Sequence, residues 1–241
     1  MKLEIIGFNI ESCIVAQEGG ASRIELCDNQ PEGGTTPSYG FIKAARKKLF
    51  IELYVMIRPR GGDFFYSDDE FEIMKADMEM CKQCGCDGIV MGLLKKDGNV
   101  DKKRCHELVD LAYPLGVTFH RAFDGAKDPF GALEDIIETG CERILTSGQQ
   151  PKAVDGAGII KELISRADDR IIIMPGSGVN AENITFLVEN TGAKEFHSSA
   201  AIYTESAMSY TNPSMNESLK HVTADKEEII KMVTLLKGYN R

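Results

Sequence analysis

The chain has 241 residues, 43% of them hydrophobic, enough for a full core in one large domain or two small ones. Its 37 acids against 28 lysines and arginines give a net charge of −9, which argues against general binding to nucleic acid or anionic membrane. No apolar run approaches the roughly 20 residues of a membrane helix. Glu4 and Glu11 interrupt the stretch where a signal peptide would be apolar, so the cytoplasm is the expected compartment. Seven cysteines, an odd number, read as reduced thiols rather than a disulfide framework.

Short β-rich runs recur along the chain: "LEIIGF" (3–8), "RIELCD" (23–28), "IELYVMIRP" (51–59) and "DGIVMG" (87–92). They continue with "GVTFHRAFD" (116–124), "RILTSG" (143–148), "RIIIMPGSG" (170–178) and "EFHSSA" (195–200). Apolar residues at helical spacing fill the segments between them. After the third run, Ser67 is an N-cap with Glu70 as capping-box partner, and Gly85 is a stop. After the fifth, Asp128 caps, Pro129 takes the first helical position and Gly140 closes. A last helix is expected from about Thr223 to Leu236.

Eight β-then-α units with nearly continuous apolar strands indicate a parallel sheet covered on its outer face, and the count of eight points to a closed (β/α)8 TIM barrel. A doubly wound open sheet is the alternative, but the first turn, "GFNIES", lacks a dinucleotide fingerprint. No compositional break marks a boundary, so residues 1–241 are expected to form one domain. The stretch 201–222 has no clear period and reads as a lid, a subunit contact or a mobile loop.

In a barrel, strand residues alternate between interior and helix layer, and sites lie at the C-terminal strand ends. If the apolar residues Ile24, Leu26, Val55, Ile57, Val117, Phe119 and Phe196 face the helices, then Glu25, Cys27, Met56, Arg58, Thr118, His120, Glu195 and His197 face inward. The same rule turns Glu4 and Thr146 inward and sets Asp124 at the rim. Glu25, Arg58, His120, Asp124 and His197 are therefore the catalytic candidates, with the two histidines as acid–base groups assisted by Glu25. A purely structural reading stands beside this: a strand histidine can be a hydrogen-bonded core residue, and buried acids can pair with Arg58 and His120 to fill a polar barrel centre.

The loops carry anion-binding signals. Arg58 and Arg60 flank a Gly-Gly turn after the third strand. Gly176, Ser177 and Gly178 follow the seventh strand, and Ser198 and Ser199 close the eighth, the usual phosphate position in such barrels. An anionic small molecule, phosphorylated or carboxylated, is the expected ligand. No lysine falls within the strand runs, which removes Schiff-base catalysis, and no strand-end cluster has the spacing of a hydrolytic zinc site.

The segments "GGASRIELCDNQPEGGTTPSYG", "VMIRPRGGDFFYSDDE", "VTFHRAFD", "RILTSGQ", "MPGSGV" and "EFHSSA" together resemble the CutC family of copper homeostasis proteins over nearly the whole chain. The resemblance implies a cytosolic TIM barrel, a homodimer or higher homo-oligomer, associated with copper tolerance and Cu(I) binding; an unknown enzymatic role stays open. It places the family's "ELC" cysteine on Cys27, with Met56 as an inward thioether beside it, and soft donors of this kind suit Cu(I). Cys27 has a bland alternative as a small core residue. The chain departs from the family at "CKQCGCDG", where Cys81, Cys84 and Cys86 offer three thiols, with Cys105 as a candidate addition, against the four ligands of a structural zinc. Cys13 and Cys141 read as packing residues.

Overall fold

The computed structural model describes residues 1–215 and 218–239. Asn216 and Glu217, inside the 201–222 stretch, and Asn240 and Arg241, at the end of the expected 1–241 domain, lie outside the described residues.

Eight strands form one parallel sheet: β1 (Lys2–Gly7), β2 (Arg23–Leu26), β3 (Glu52–Met56), β4 (Gly88–Met91), β5 (Gly116–Phe119), β6 (Arg143–Thr146), β7 (Ile172–Pro175) and β8 (Glu195–Ser198). Their order is β7-β6-β5-β4-β3-β2-β1-β8, and β8 packs beside β7 to bring the sheet's two ends together. Eight helices cover the outside: α1 (Ile10–Glu18), α2 (Tyr39–Lys48), α3 (Asp68–Gln83), α4 (Lys102–Ala112), α5 (Pro129–Thr139), α6 (Ala157–Ala167), α7 (Ile184–Thr191) and α8 (Lys226–Lys237). The fold is a TIM barrel.

Local chemistry sets the helix ends. Ser67 accepts from the Glu70 amide, and the Glu70 carboxylate accepts from the Ser67 amide at 2.7 Å, a complete capping box for α3. Asp128 accepts from Phe130 ahead of Pro129, and Gly140 closes α5 at φ +86°, a left-handed position that glycine fills without strain.

Two expectations change at the C-terminal end. The stretch after β8 is not wholly irregular: β9 (Ala201–Thr204) and β10 (His221–Ala224) pair antiparallel, Ala201 opposite Ala224. The last helix accordingly begins at Lys226 rather than near Thr223. Residues 221–224 are held by strand pairing, and the Asp225 carboxylate accepts from the Glu227 and Glu228 amides to start the helix.

The register verifies most of the alternation. Glu4 lies opposite His197, Glu25 opposite Tyr54, Met56 opposite Val90, and Val90 opposite Thr118. The residues assigned to the helix layer join the main core, while Cys27, Tyr54, Met56 and Val90 form a small separate cluster inside the barrel with Ile6 and Phe8. Strand β6 has the opposite parity from that expected. Thr118 faces Arg143 and Leu145 faces Met174, so Arg143 and Leu145 point inward and Thr146 points out. The reason is electrostatic: the Arg143 charge finds Glu195 inside the barrel at 2.7 Å, while the Thr146 hydroxyl is satisfied outside by Asp124 at 2.6 Å. One lysine also belongs to a strand. Lys2 opens β1, at the end remote from the strand C-termini, where it bonds Glu52.

Candidate functional site

The barrel floor is an ion network. Arg23, fully buried, donates to Glu4, to Glu195 at 2.7 Å and to Glu52 at 3.0 Å. Arg143 donates to the same Glu195 oxygen, to Thr118 at 3.0 Å and to Glu142 at 2.8 Å. The Tyr54 ring lies against both guanidiniums, 4.9 Å from Arg23 and 5.5 Å from Arg143. Every charge here has a partner, as burial demands. This layer is the polar filler that strand parity alone could not separate from a site; its two arginines were legible only as strand-initial residues.

One layer up, a chain of charge links the floor to open space. Burial raises the Glu4 carboxyl, but the Arg23 charge and the His197 bond outweigh it and leave Glu4 at about 2, ionised. An ionised carboxylate only accepts, so the His197 Nδ1–H donates to Glu4 Oε1, at 2.7 Å. The other ring nitrogen, Nε2, lies 3.8 Å from Glu25 Oε2. Burial disfavours the imidazolium, yet Glu25 and Glu4 on either side more than compensate, and His197 sits above the ordinary imidazole range. Glu25, unlike Glu4, also rises: burial pushes its carboxyl up to about 7, with His197 opposing and Glu4 adding to the rise. Its Oε1 is buried and has no hydrogen-bond partner among the described residues.

Across the interior, the Ala122 amide donates to His120 Nδ1 at 3.1 Å. Nδ1 is therefore the acceptor nitrogen, the ring is neutral, and the proton is on Nε2, which is buried and unpartnered among the described residues. Burial, then the Arg58 charge, hold His120 down at about 3. Gly92 makes room for the ring, since a Cβ there would meet His120 Nδ1 at 2.5 Å. Arg58 is fixed by carbonyls: Nη1 donates to Glu32 at 2.6 Å and Gly34 at 2.8 Å, and Nη2 to Gly62 at 2.8 Å. Its Nε–H is the third buried atom left over. The Phe64 ring packs on both groups, 4.9 Å from the His120 ring and 5.0 Å from the Arg58 guanidinium.

These groups open onto one cavity of about 480 Å³ at the C-terminal strand ends, a volume suited to a small metabolite. Glu25, Met56, Arg58, His120 and His197 line it, as do Ser177, Gly178, Ser198 and Ser199. Arg121 lines it too, a residue the alternation argument passed over because it follows the strand rather than belonging to it. Gly176 lies beneath, where a Cβ would meet Leu145 at 2.4 Å. The Ser198 hydroxyl is spent on the Val179 carbonyl at 2.6 Å, which leaves backbone as the rim's main offering.

Two charged candidates, Asp124 and Arg60, are not in the cavity wall. Asp124 accepts from Thr146 Oγ1 at 2.6 Å, from the Ser147 amide at 3.1 Å, from the Gln149 amide at 3.0 Å and from Arg121 Nε at 2.8 Å. It ties the end of β5 to the end of β6 and aims Arg121. Arg60 donates to Glu70 at 2.6 Å, to Asp63 at 3.0 Å and to three carbonyls of the 61–65 loop, which it holds together.

The sulfur donors are arranged less favourably for a soft ion. Cys27 is fully buried, and burial followed by the Glu25 charge and bond pushes its thiol well above the ordinary range. A thiol held protonated is a poor ligand, because the thiolate is the metal-binding form. Among the described residues, the metal-capable side chains whose ligand atoms lie within 4.8 Å of one another are Glu4, Glu25 and His197. That carboxylate-rich set suits harder ions than Cu(I). Cys81, Cys84 and Cys86 do not form such a group. Cys81 bonds Cys86, and that bond with burial raises its thiol, while Cys84 is only partly covered. Cys13, Cys105 and Cys141 are buried, and burial raises each.

The fold and this placement define a class: a TIM barrel with a cavity at the C-terminal ends of its strands, lined in part by charged side chains. The chain belongs to the CutC family, whose family model matches residues 1–202. It is similar to a CutC family protein of Parabacteroides distasonis, 50% identical over 228 residues and covering 94% of each chain. It is 47% identical to the copper homeostasis protein cutC homolog of Homo sapiens over 213 residues, 88% of this chain and 78% of that one. Among solved structures, the CutC protein of Streptococcus agalactiae superposes with a TM-score of 0.79 at 36% identity, over 82% of this chain and 98% of its own. Among the described residues no helix is long and apolar enough to cross a membrane.

Proposed function

We propose that this chain is an enzyme that binds an anionic small molecule in the strand-end cavity and moves a proton with Glu25. One observation carries the reading: of four buried polar atoms without a partner among the described residues, three, Glu25 Oε1, Arg58 Nε and His120 Nε2, belong to residues that line the same cavity, and the fourth is the Tyr66 hydroxyl. Leaving a buried polar atom unpaired costs about 1–3 kcal/mol each, a cost that a ligand completing the set removes. Glu25, at about 7, can take or return a proton near neutrality. His120 serves as a neutral donor rather than as the base, and His197, raised by the two carboxylates beside it, restrains the Glu25 charge. Arg121 and the rim at Ser177, Gly178 and Ser199 supply the positive side for the anion. Titration of the purified protein with a library of phosphorylated and carboxylated metabolites, followed by NMR, tests this. Binding that disappears in Arg58→Gln supports it; no saturable binding of any anion contradicts it.

A second reading has one contact in its favour. Cys27 Sγ and the Met56 methyl face each other beside Gly34, 3.1 and 3.6 Å from where a Cβ there would stand. On that reading the protein is a cytosolic copper-tolerance factor with Cu(I) as cargo, as the names of its relatives suggest. Anaerobic Cu(I) titration decides: stoichiometric binding lost in Cys27→Ser supports it, and unchanged binding removes it. We also propose a homodimer or higher oligomer joined through Ile202 and Tyr203 of the hairpin and Met208 and Tyr210 beyond it, all exposed. Sedimentation of the full chain tests this, with monomer at micromolar concentration as the contrary result.

A further inference from the structure

The three unpartnered atoms differ in kind, and the difference narrows the chemistry. Two are N–H donors, from the residue after β5 and from the loop after β3, and one is a carboxylate oxygen from β2. A ligand that satisfies the donors must bring oxygen lone pairs to Arg58 and His120, which share the Phe64 ring. A ligand that engages Glu25 must bring a proton.

Neither donor is built to give its proton away. Arg58 keeps its charge under all ordinary conditions. The His120 ring is fixed as the neutral Nε2–H form, because an imidazolium would set a second N–H against the Ala122 amide at 3.1 Å. The pair can therefore hold a developing oxyanion but cannot protonate a leaving group. Any acid at a departing atom, as hydrolytic and eliminative sites need, would have to be Glu25 rather than these two donors. Two fixed donors and a facing carboxylate are the requirements for drawing a proton from carbon next to a carbonyl.

A place for a charged tail lies at the rim. Ser177 and Gly178 are consecutive left-handed residues, φ +80° and +72°, and the serine is pinned there by its hydroxyl bond to the Pro151 carbonyl at 2.8 Å. A non-glycine residue held in this region is strained, and such strain concentrates at ligand-binding turns. Arg121 reaches the cavity from β5 while Asp124 anchors it at 2.8 Å.

We infer that the substrate is a carbonyl compound with an acidic neighbouring C–H and an anionic tail, and that the reaction is enolisation at that carbon. The inference rests on the proton-transfer reading above and deepens it. Glu25 Oε1 takes the proton, the C–H bond pair becomes the C=C bond, and the carbonyl π pair moves to oxygen. Arg58 Nε–H and His120 Nε2–H hold the resulting enolate oxygen without transferring their protons. The Glu25 carboxylic acid then returns a proton to the same carbon. Nothing is oxidised overall, and no co-reactant is consumed.

The test uses the full chain and two probes. Phosphoglycolate reports binding, since its carboxylate mimics the enolate and its phosphate the tail; binding is followed by calorimetry. Dihydroxyacetone phosphate in deuterium oxide reports chemistry, through loss of the α-proton NMR signal. The inference expects both binding and exchange. It expects exchange to vanish in Glu25→Gln while phosphoglycolate still binds, and to fall by about a hundredfold in His120→Phe, which removes one oxyanion donor. Binding without exchange overturns the inference and leaves the anion-binding reading standing. Absence of binding overturns both. Exchange that persists in Glu25→Gln, with circular dichroism showing the variant folded, overturns the role given to Glu25.

Discussion

Replacing Glu25 by glutamine should make the protein more stable at alkaline pH. The carboxyl moves from an ordinary value of 4.5 to about 7 on folding, chiefly because burial penalises its charge. Below both values the group is neutral in either state and contributes nothing. Between them the unfolded chain releases a proton that the folded chain keeps, so stability falls as pH rises, and the loss is complete above about pH 7. At about 1.4 kcal/mol for each tenfold change, the full loss is about 3 kcal/mol. Glutamine has nearly the same shape and no charge to bury. The variant should match the parent at about pH 4 and exceed it by up to about 3 kcal/mol at about pH 8, while catalysis is lost. His120 titrates alike in both proteins and cancels. Urea unfolding followed by far-ultraviolet circular dichroism is the assay, since the chain has no tryptophan to report fluorescence. Equal destabilisation at both pH values would refute the reasoning and make Glu25 an ordinary paired carboxylate.

Three further outcomes follow from the geometry. Arg23→Met takes the guanidinium from Glu4, leaving it the His197 bond, and removes half of the pairing at Glu195, and should cost about 3–5 kcal/mol in urea unfolding; a loss below about 1 kcal/mol would mean the floor network contributes little. Asp124→Ala leaves the Ser147 and Gln149 amides without their acceptor and should cost about 2–3 kcal/mol by the same assay, with an unchanged midpoint as the contrary result. His120, held at about 3 against an ordinary 6.5, binds fewer protons folded than unfolded, so stability drains away as pH falls below about 6.5, reaching on the order of 5 kcal/mol by about pH 3. Imidazole NMR should show no protonation of His120 above about pH 5, and a midpoint near 6.5 would contradict the assigned neutral donor.

Much of the barrel could be read from the chain because its strands are short apolar runs bounded by glycine, and its helices carry strong caps at Ser67 and Asp128. Alternation placed Glu25, Met56, Arg58, His120 and His197 in the interior because their strand neighbours are large and apolar. It failed at β6, where Thr146 and Arg143 compete for the interior and a partner distant in sequence, Glu195, decides. The hairpin β9–β10 was missed because its strands are nearly bare of buried residues, so no hydrophobic period marks them. Roles within the site were the least legible. Which of two histidines is neutral depends on the Ala122 amide and on Glu4, contacts that a residue pattern does not contain. Arg60 and Asp124 read as site residues from their charge, whereas Arg60 bonds its own loop and Glu70, and Asp124 bonds Arg121 and the end of β6.

The account stands on three buried atoms in one cavity awaiting a partner, and a crystal structure of the protein with phosphoglycolate examines that directly. The ligand carboxylate should lie within hydrogen-bond distance of both Arg58 Nε and His120 Nε2, facing Glu25, with its phosphate against Ser177, Gly178 and Ser199. Phosphoglycolate bound elsewhere, or those two nitrogens found bonded to protein groups in its presence, would contradict the account.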